Sequence, residues 1–330
     1  MLIVNKYHNI MNKEELRREY EKLLKMDDID YSKEVIDRYL DFFMKIIWEF
    51  HPKPVCTQNM SDAKIIFQMF FTKLLSLRKA LDGVSFRANN GSFLKQIIDP
   101  TTFIPIVRTI YESVCAFEIV YIVPDTEEKK NILYNLWTKA GLEYRQRFAQ
   151  TITEPELLTK IADEQECIKE CKEYIKNATT YKSLSEREQN KIQSTMQEKD
   201  FKIQIDSGFV KKLSWQEISS MFGGERINTV FANVYTYFSL YSHPSQVAVF
   251  QFQDMFTDEK PYIPIILLNV KFSLVLLSIF LADYIKLFPE IKSDFFLIED
   301  TLIQMSLDAY NKFIREDNFL IDDGWVKALE

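Results

Sequence analysis

Ile265-Ile-Leu-Leu-Asn269-Val-Lys271-Phe-Ser273-Leu-Val-Leu-Leu-Ser278-Ile-Phe-Leu-Ala282 is the stretch whose reading decides the fold. Its eighteen mostly apolar residues match the length of a membrane span. Asn269, Ser273 and Ser278 interrupt it, and Lys271 falls inside the run, where a bilayer makes charge costly. A helix apolar nearly all round and carrying such groups reads as the buried core helix of a globular protein. It starts at Pro261 or Pro264 and runs to about Leu287. The opening Met-Leu-Ile-Val-Asn-Lys is too short an apolar run for a signal peptide, so the chain is expected in the cytoplasm, with no membrane partner.

The rest of the composition agrees with that choice. Hydrophobic residues make up 47% of the 330 and charged residues 27%, the balance of a folded chain rather than a disordered one. Seven glycines and ten prolines are too few for the turns of an all-β protein. The expected class is all-α: an irregular multi-helix bundle, a single domain over 1–330, with a buried apolar C-terminal helix. No repeat, low-complexity tract or linker divides it. The net charge of −7 counts weakly against bulk nucleic-acid binding. Charge is uneven, however: residues 51–110 carry eight Lys/Arg against three Asp/Glu, and residues 251–330 carry seven against fourteen.

Helix signals recur along the chain. Asn12 caps a helix over 13–26, Ser32 one over 33–50, and Ser61 opens one to Leu81. Residues 82–100 read as the longest loop. Asp99-Pro-Thr-Thr starts an apolar helix that ends before Pro124, and Thr126 starts another to Gln150. Thr153-Glu-Pro-Glu156 reads as a capping box, and 154–200 as one or two solvated, charge-laced helices bending near 177–183. That segment is expected to project as a charged arm and to meet any protein partner. Ser214-Trp-Gln-Glu217 is a second capping box, opening a short helix that ends at Gly223-Gly224. A helix then runs from Glu225 to Ser242, residues 245–256 are ambiguous, and Ser293 caps a last helix to Phe313.

Cys56, Cys115, Cys167 and Cys171 read as reduced thiols. The 167/171 pair is poorly placed for a disulfide within a helix, and the chain has no Cys-x-x-Cys and only three histidines. There is no P-loop, dinucleotide glycine motif or Glu-x-x-His pair, so no cofactor or metal is called for.

Two features carry candidate chemistry. Arg108 and Glu112 lie one turn apart on the apolar helix, where charges survive burial only when paired and hydrogen-bonded. They read either as a packing tie or as a cation aimed at an anionic or carbonyl group, oriented by Glu112. Tyr235, Ser239 and His243 recur every four residues, so a helix stacks them in one stripe. Pro244 ends that helix at His243, placing the imidazole at a helix C-terminus. It then either closes the cap or serves as a general acid–base with Tyr235 or Ser239 as a substrate-facing donor. No Gly-x-Ser-x-Gly elbow surrounds Ser239. A further cluster interleaves Lys64, Lys73, Arg78, Lys79, Arg87 and Lys95 with Phe70, Phe71, Phe86 and Phe93, as a single-stranded nucleic-acid surface or a solvated basic face would.

Arg108-Thr-Ile-Tyr-Glu112-Ser, the short helix from Trp215 to Gly224, and Tyr237-Phe-Ser239-Leu-Tyr-Ser-His243-Pro-Ser245 resemble a family of bacterial helical proteins known as a domain of unknown function. The resemblance spans residues 103–256, and some of the family's members lie near mobile or defence-associated genes. It implies a helical body in which the Arg-x3-Glu helix and the Ser-x3-His-Pro-Ser segment converge. A more distant similarity is to the HEPN ribonucleases, whose signature arginine is separated from a histidine by four to six intervening residues. Here the corresponding positions hold Thr236, Tyr237 and Phe238, none of them basic, so Arg108 would have to supply the cation from another helix.

The expectation is a bacterial defence or toxin-like factor with a polar pocket acting on RNA or a nucleotide. His243, Arg108 and Glu112 would be its catalytic groups, and Tyr235, Ser239, Ser245 and Arg87 its binding groups. The alternatives are a non-catalytic interaction module whose pocket is structural, and a sensor of a small anionic ligand; an oligomer is compatible with each.

Overall fold

The computed structural model describes residues 13–222, 225–256, 260–292 and 301–316. It is all-α apart from two short two-stranded ribbons. Where the sequence suggested one domain, the chain divides into two compact units, residues 1–114 with 222–330, and residues 115–221.

The first unit is built on the stretch that opened the reading. Helix α13 (Tyr262–Leu287) is the one described helix long and apolar enough to cross a membrane, and 78% of its most apolar stretch is buried inside the protein. Its polar side chains donate inward, although the buried Asn269 Oδ1 has no hydrogen-bond partner among the described residues. Ser273 and Ser278 donate to the carbonyls of Asn269 and Leu274 one turn back, and Asn269 Nδ2 donates to Ile265 O and to the Tyr237 hydroxyl. Around it pack α2 (Ile29–Glu49), α3 (Gln58–Ala80) and α14 (Thr301–Arg315), with α1 (Lys13–Lys25) against α14. The seam is aromatic: Phe280 stacks on Phe70 with centroids 3.8 Å apart, Phe43 stacks on Phe67 at 4.4 Å, and Tyr284 meets Phe67 at 4.4 Å. A polar layer crosses the same core. Tyr39 shares hydrogen bonds with Ser278 and Ser306, Asn311 Nδ2 donates to Ser278 O, and Arg315 donates to Asp283, both of them almost wholly buried.

Several boundaries differ from the sequence reading. Helix α2 begins earlier, because Asp28 rather than Ser32 is the cap: Asp28 accepts Tyr31 N–H at 2.7 Å, while Ser32 is buried and donates to Asp28 O. Helix α3 begins at Gln58 rather than at Ser61. The expected loop over 82–100 contains an antiparallel ribbon, β1 (Val84–Arg87) with β2 (Phe93–Ile97). Gly91, at φ +87°, supports its turn, a conformation that an L side chain rarely adopts. The expected helix over 225–242 is broken into α10 (Glu225–Val230) and α11 (Val234–Ser242), with Asn233 left-handed at φ 58°. After Pro244, Ser245 accepts Ala248 N–H and caps α12 (Gln246–Asp254). The Asn12 and Ser293 caps and the Gly223-Gly224 stop lie outside the described residues.

Helix α4 (Pro100–Phe117) starts as expected, with Asp99 Oδ1 accepting Thr101 N–H. Within the second unit, a π-helical turn spans Glu118–Ile122, followed by α5 (Glu127–Arg145), capped by Thr126. Helices α6 (Pro155–Asn177), α7 (Thr179–Ser183) and α8 (Glu186–Gln197) form the charged segment 154–200, bending where the sequence indicated. The segment expected to project is packed: α6 lies along α5 and buries Ile168, Cys171 and Ile175. Its capping box does not form, since Glu154 occupies the cap position and makes no side-chain cap bond. Glu128 instead accepts the Thr179 and Thr180 amides at the start of α7. A ribbon of β3 (Ile203–Asp206) and β4 (Phe209–Lys212) is tied to α8 by Glu188, which accepts Val210 N–H at 2.7 Å and pairs with Lys191. The Ser214–Glu217 capping box forms as read and opens α9 (Trp215–Ser219).

Candidate functional site

Helix α4 carries Arg108 and Glu112 on one face because i,i+4 residues are neighbours on a helix. Arg108 Nε donates to Glu112 Oε1 at 2.9 Å, and its other arm donates to the Tyr235 hydroxyl at 2.7 Å. The guanidinium carbon also lies 4.8 Å from the Tyr235 ring centroid, so the tyrosine engages the cation through its hydroxyl and its ring face. Behind this cluster Tyr111 packs against Phe231, Tyr235 and Phe238, which fixes α11 against α4. Burial opposes the Arg108 charge, but Glu112 and Tyr235 outweigh it and hold the group above its ordinary range. Lys73 feels the same carboxylate: burial lowers its pKa, and the Glu112 charge partly restores it. The Arg108 and Glu112 side chains remain 23% and 31% exposed, so this is a half-open ion pair at the surface of its unit.

Among the described residues, the other expected site residues make no hydrogen bond or ion pair with Arg108 or Glu112. Ser239 lies on the same stripe of α11, but its hydroxyl donates to Tyr235 O at 2.9 Å. Tyr235 and Ser242 are separated by about 10 Å of helical rise, and His243 lies beyond that end. Pro244 does what the sequence implied: His243 leaves the helix in extended geometry, φ −130° and ψ 155°. Its imidazole is exposed and makes no hydrogen bond or ion pair among the described residues. Ser245 donates to Leu240 O and caps α12. Arg87 sits on the exposed β1 strand, stacked over Phe93 at 5.1 Å. The basic cluster is likewise dispersed. Lys64 is buried and donates to the Lys53 carbonyl at 2.7 Å, Arg78 pairs with Asp37 and Asp82, and Phe70 belongs to the core. Among the described residues no group of three or more His, Cys, Asp or Glu side chains could hold a metal.

A second histidine has the built environment that His243 lacks. His51, just past the end of α2, contacts Gln68 Nε2 through Nδ1 at 3.0 Å and the Tyr284 hydroxyl through Nε2 at 3.1 Å. Burial, and then the nearby Lys64 charge, lower its pKa to about 4. A folded-state pKa below the free value near 6.5 means that this contribution to stability is complete above that pH. Between about pH 6.5 and about pH 4 the unfolded chain binds a proton that the folded chain refuses, so stability falls as pH falls. Because the ring is only half-buried, the expected loss from pH 7.5 to 5 is about 1–2 kcal/mol rather than the full linkage value. Urea unfolding at both pH values should show it, and His51→Gln should remove most of it. An unchanged pH slope in that variant would refute the assignment.

The chain matches no protein-family model, no curated protein and no solved structure with which it was compared.

Proposed function

We propose that the protein acts by recognition rather than by chemistry at the Arg108 cluster, as a non-catalytic helical binding module. The observation that carries this reading is that each polar group of the cluster is engaged within the protein. Arg108 is engaged by Glu112 and Tyr235, Ser239 is turned onto its own backbone, and the one imidazole of the stripe lies past the far end of α11. A general acid–base must reach the proton it moves, directly or through one water. The rise of about 10 Å from Tyr235, which holds Arg108, to Ser242 puts the His243 backbone past the other end of α11, which supports the binding reading. The cluster is a joint between α4 and α11.

The two readings predict opposite pairs of results. For a structural joint, Arg108→Ala should cost about 1–2 kcal/mol through lost charged hydrogen bonds and ring contact, while His243→Ala should shift stability by less than about 0.5 kcal/mol. Urea unfolding measures both. Incubation with RNA oligonucleotides and nucleoside triphosphates should give no turnover that depends on His243. Turnover abolished by His243→Ala at unchanged melting temperature would overturn the binding reading in favour of a catalytic one, for which the exposed His243 imidazole, without a hydrogen bond or ion pair among the described residues, is the available support.

A further inference from the structure

The second unit contains a cavity of about 750 Å³ between α5, α6 and α8. Its lining is unusual for a protein of net charge −7: Lys139, Lys169, Lys172, Lys176 and Lys199 face it against the single carboxylate of Glu143. Helical spacing produces this arrangement. Lys169, Lys172 and Lys176 stand at i, i+3 and i+7 and so share one face of α6, while Lys139 and Glu143 are one turn apart on the facing side of α5.

The wall is built rather than incidental. Lys139 is 1% exposed and donates to Glu143 Oε2 at 2.7 Å and to the Met196 carbonyl at 2.5 Å. The other Glu143 oxygen takes Lys172 Nζ at 3.1 Å. One carboxylate therefore fixes two ammonium groups, and it is itself held below the ordinary carboxylate range by those two lysines against the opposing effect of burial. An ammonium has three donors; Lys172 spends one on Glu143 and has no other partner among the described residues. Lys169 pairs with Glu166, but Lys176 and Lys199 make no ion pair among the described residues. Lys199 sits in left-handed backbone geometry just past α8, φ 58°, which fixes where its side chain departs.

We propose that this cavity is a binding site for a small oligophosphate anion. Several converging ammonium groups act as point charges suited to phosphate oxygens. The volume falls in the roughly 300–1,000 Å³ range of small-molecule sites. The lining also sets the ligand class. Its only apolar members are Ile168 and Met196, and no aromatic ring is present on which a base could stack. The site reads charge and not nucleobase, and it lacks the ring platform of a single-stranded nucleic-acid groove. The proposal rests on the reading that the protein works by binding, and it gives that reading a site and a ligand.

Isothermal titration of the full chain with inorganic tripolyphosphate tests it, with adenosine and cytidine triphosphates as parallel arms. Expected is binding of all three anions with affinities within about threefold, weakening as salt rises from about 50 to 200 mM, because the interaction is screened. Lys176→Glu with Lys199→Glu should raise Kd at least tenfold while the far-ultraviolet circular dichroism spectrum and melting temperature hold, whereas Lys25→Glu in the first unit should leave Kd unchanged. The proposal is overturned by an absence of tripolyphosphate binding at low salt, by equal losses in the Lys25 control, or by a tenfold preference for either nucleotide. Capture of a single-stranded RNA without tripolyphosphate binding overturns it as well. Binding accompanied by release of orthophosphate would instead retain the site and refute the non-catalytic reading, so the two failures are distinguishable.

Discussion

Asp283→Ala should lower the unfolding free energy by about 3–5 kcal/mol, the cost of stripping one partner from a buried ion pair. Asp283 is fully buried on α13, and its carboxylate takes both Arg315 of α14, itself 1% exposed, and Lys286 one turn on. Removing it leaves a guanidinium in the core without the carboxylate it faces, and desolvation of that charge dominates the loss. The test of this cause is a double variant. Asp283→Leu combined with Arg315→Met removes both charges and should lie closer to the parent than Asp283→Ala does. Chemical unfolding of the three proteins decides the matter. A single variant losing less than about 1 kcal/mol, or a double variant no better than the single one, would show that the pair is not the tie described here.

Phe280→Ala should cost a similar amount, about 3–5 kcal/mol, for a different reason. The ring is fully buried and stacked on Phe70 at 3.8 Å, with Phe67 and Tyr284 each at 5.8 Å and Phe43 at 6.4 Å. Truncation loses the transfer energy, the ring–ring terms and the packing of every neighbour that cannot collapse into the void. Because α2, α3 and α13 all contribute to this stack, the first unit should lose stability without a change in the denaturant slope. A midpoint shift worth under about 1 kcal/mol would mean that the neighbours close the space.

The parts of the fold that were legible in the sequence depended on local physics. The apolar α13, the Ser214–Glu217 box, the Thr126 cap and the stop imposed by Pro244 each follow from neighbours within a few residues. The misreadings arose where two local options compete. Asp28 and Ser32 are both good caps, and only packing selects Asp28, since Ser32 is needed inside. The ribbon over 84–97 is four and five residues a side and mostly exposed, so it has no buried alternation to announce it. The left-handed turn at Asn233 interrupts a pattern that would serve one long helix equally well.

The candidate site divides along the same line. Arg108 and Glu112 were legible as a pair because both lie on one helix, and periodicity even pointed to the Tyr235 stripe that Arg108 meets. Periodicity names a face, however, and not which end of that face a distant helix touches: Arg108 meets the Tyr235 end, while His243 follows the other end of α11. The lysine-lined cavity was hidden for a related reason. A run rich in Lys, Glu and Gln looks the same whether its charges face bulk water or converge on a hollow, and only the packing of α5, α6 and α8 separates the two.

The four thiols occupy distinct settings: Cys56 is exposed between α2 and α3, Cys115 and Cys171 are buried, and Cys167 is intermediate. Burial, followed by the neighbouring Cys167, pushes the Cys171 thiol up to about 12, which keeps it protonated and a poor nucleophile at neutral pH. A maleimide added in limiting amount should therefore alkylate Cys56 first, placing a fluorophore on the first unit while the lysine-lined hollow of the second stays chemically untouched. The protein thus offers a native attachment point for a reporter, without an engineered cysteine, for anisotropy measurements with the anions above.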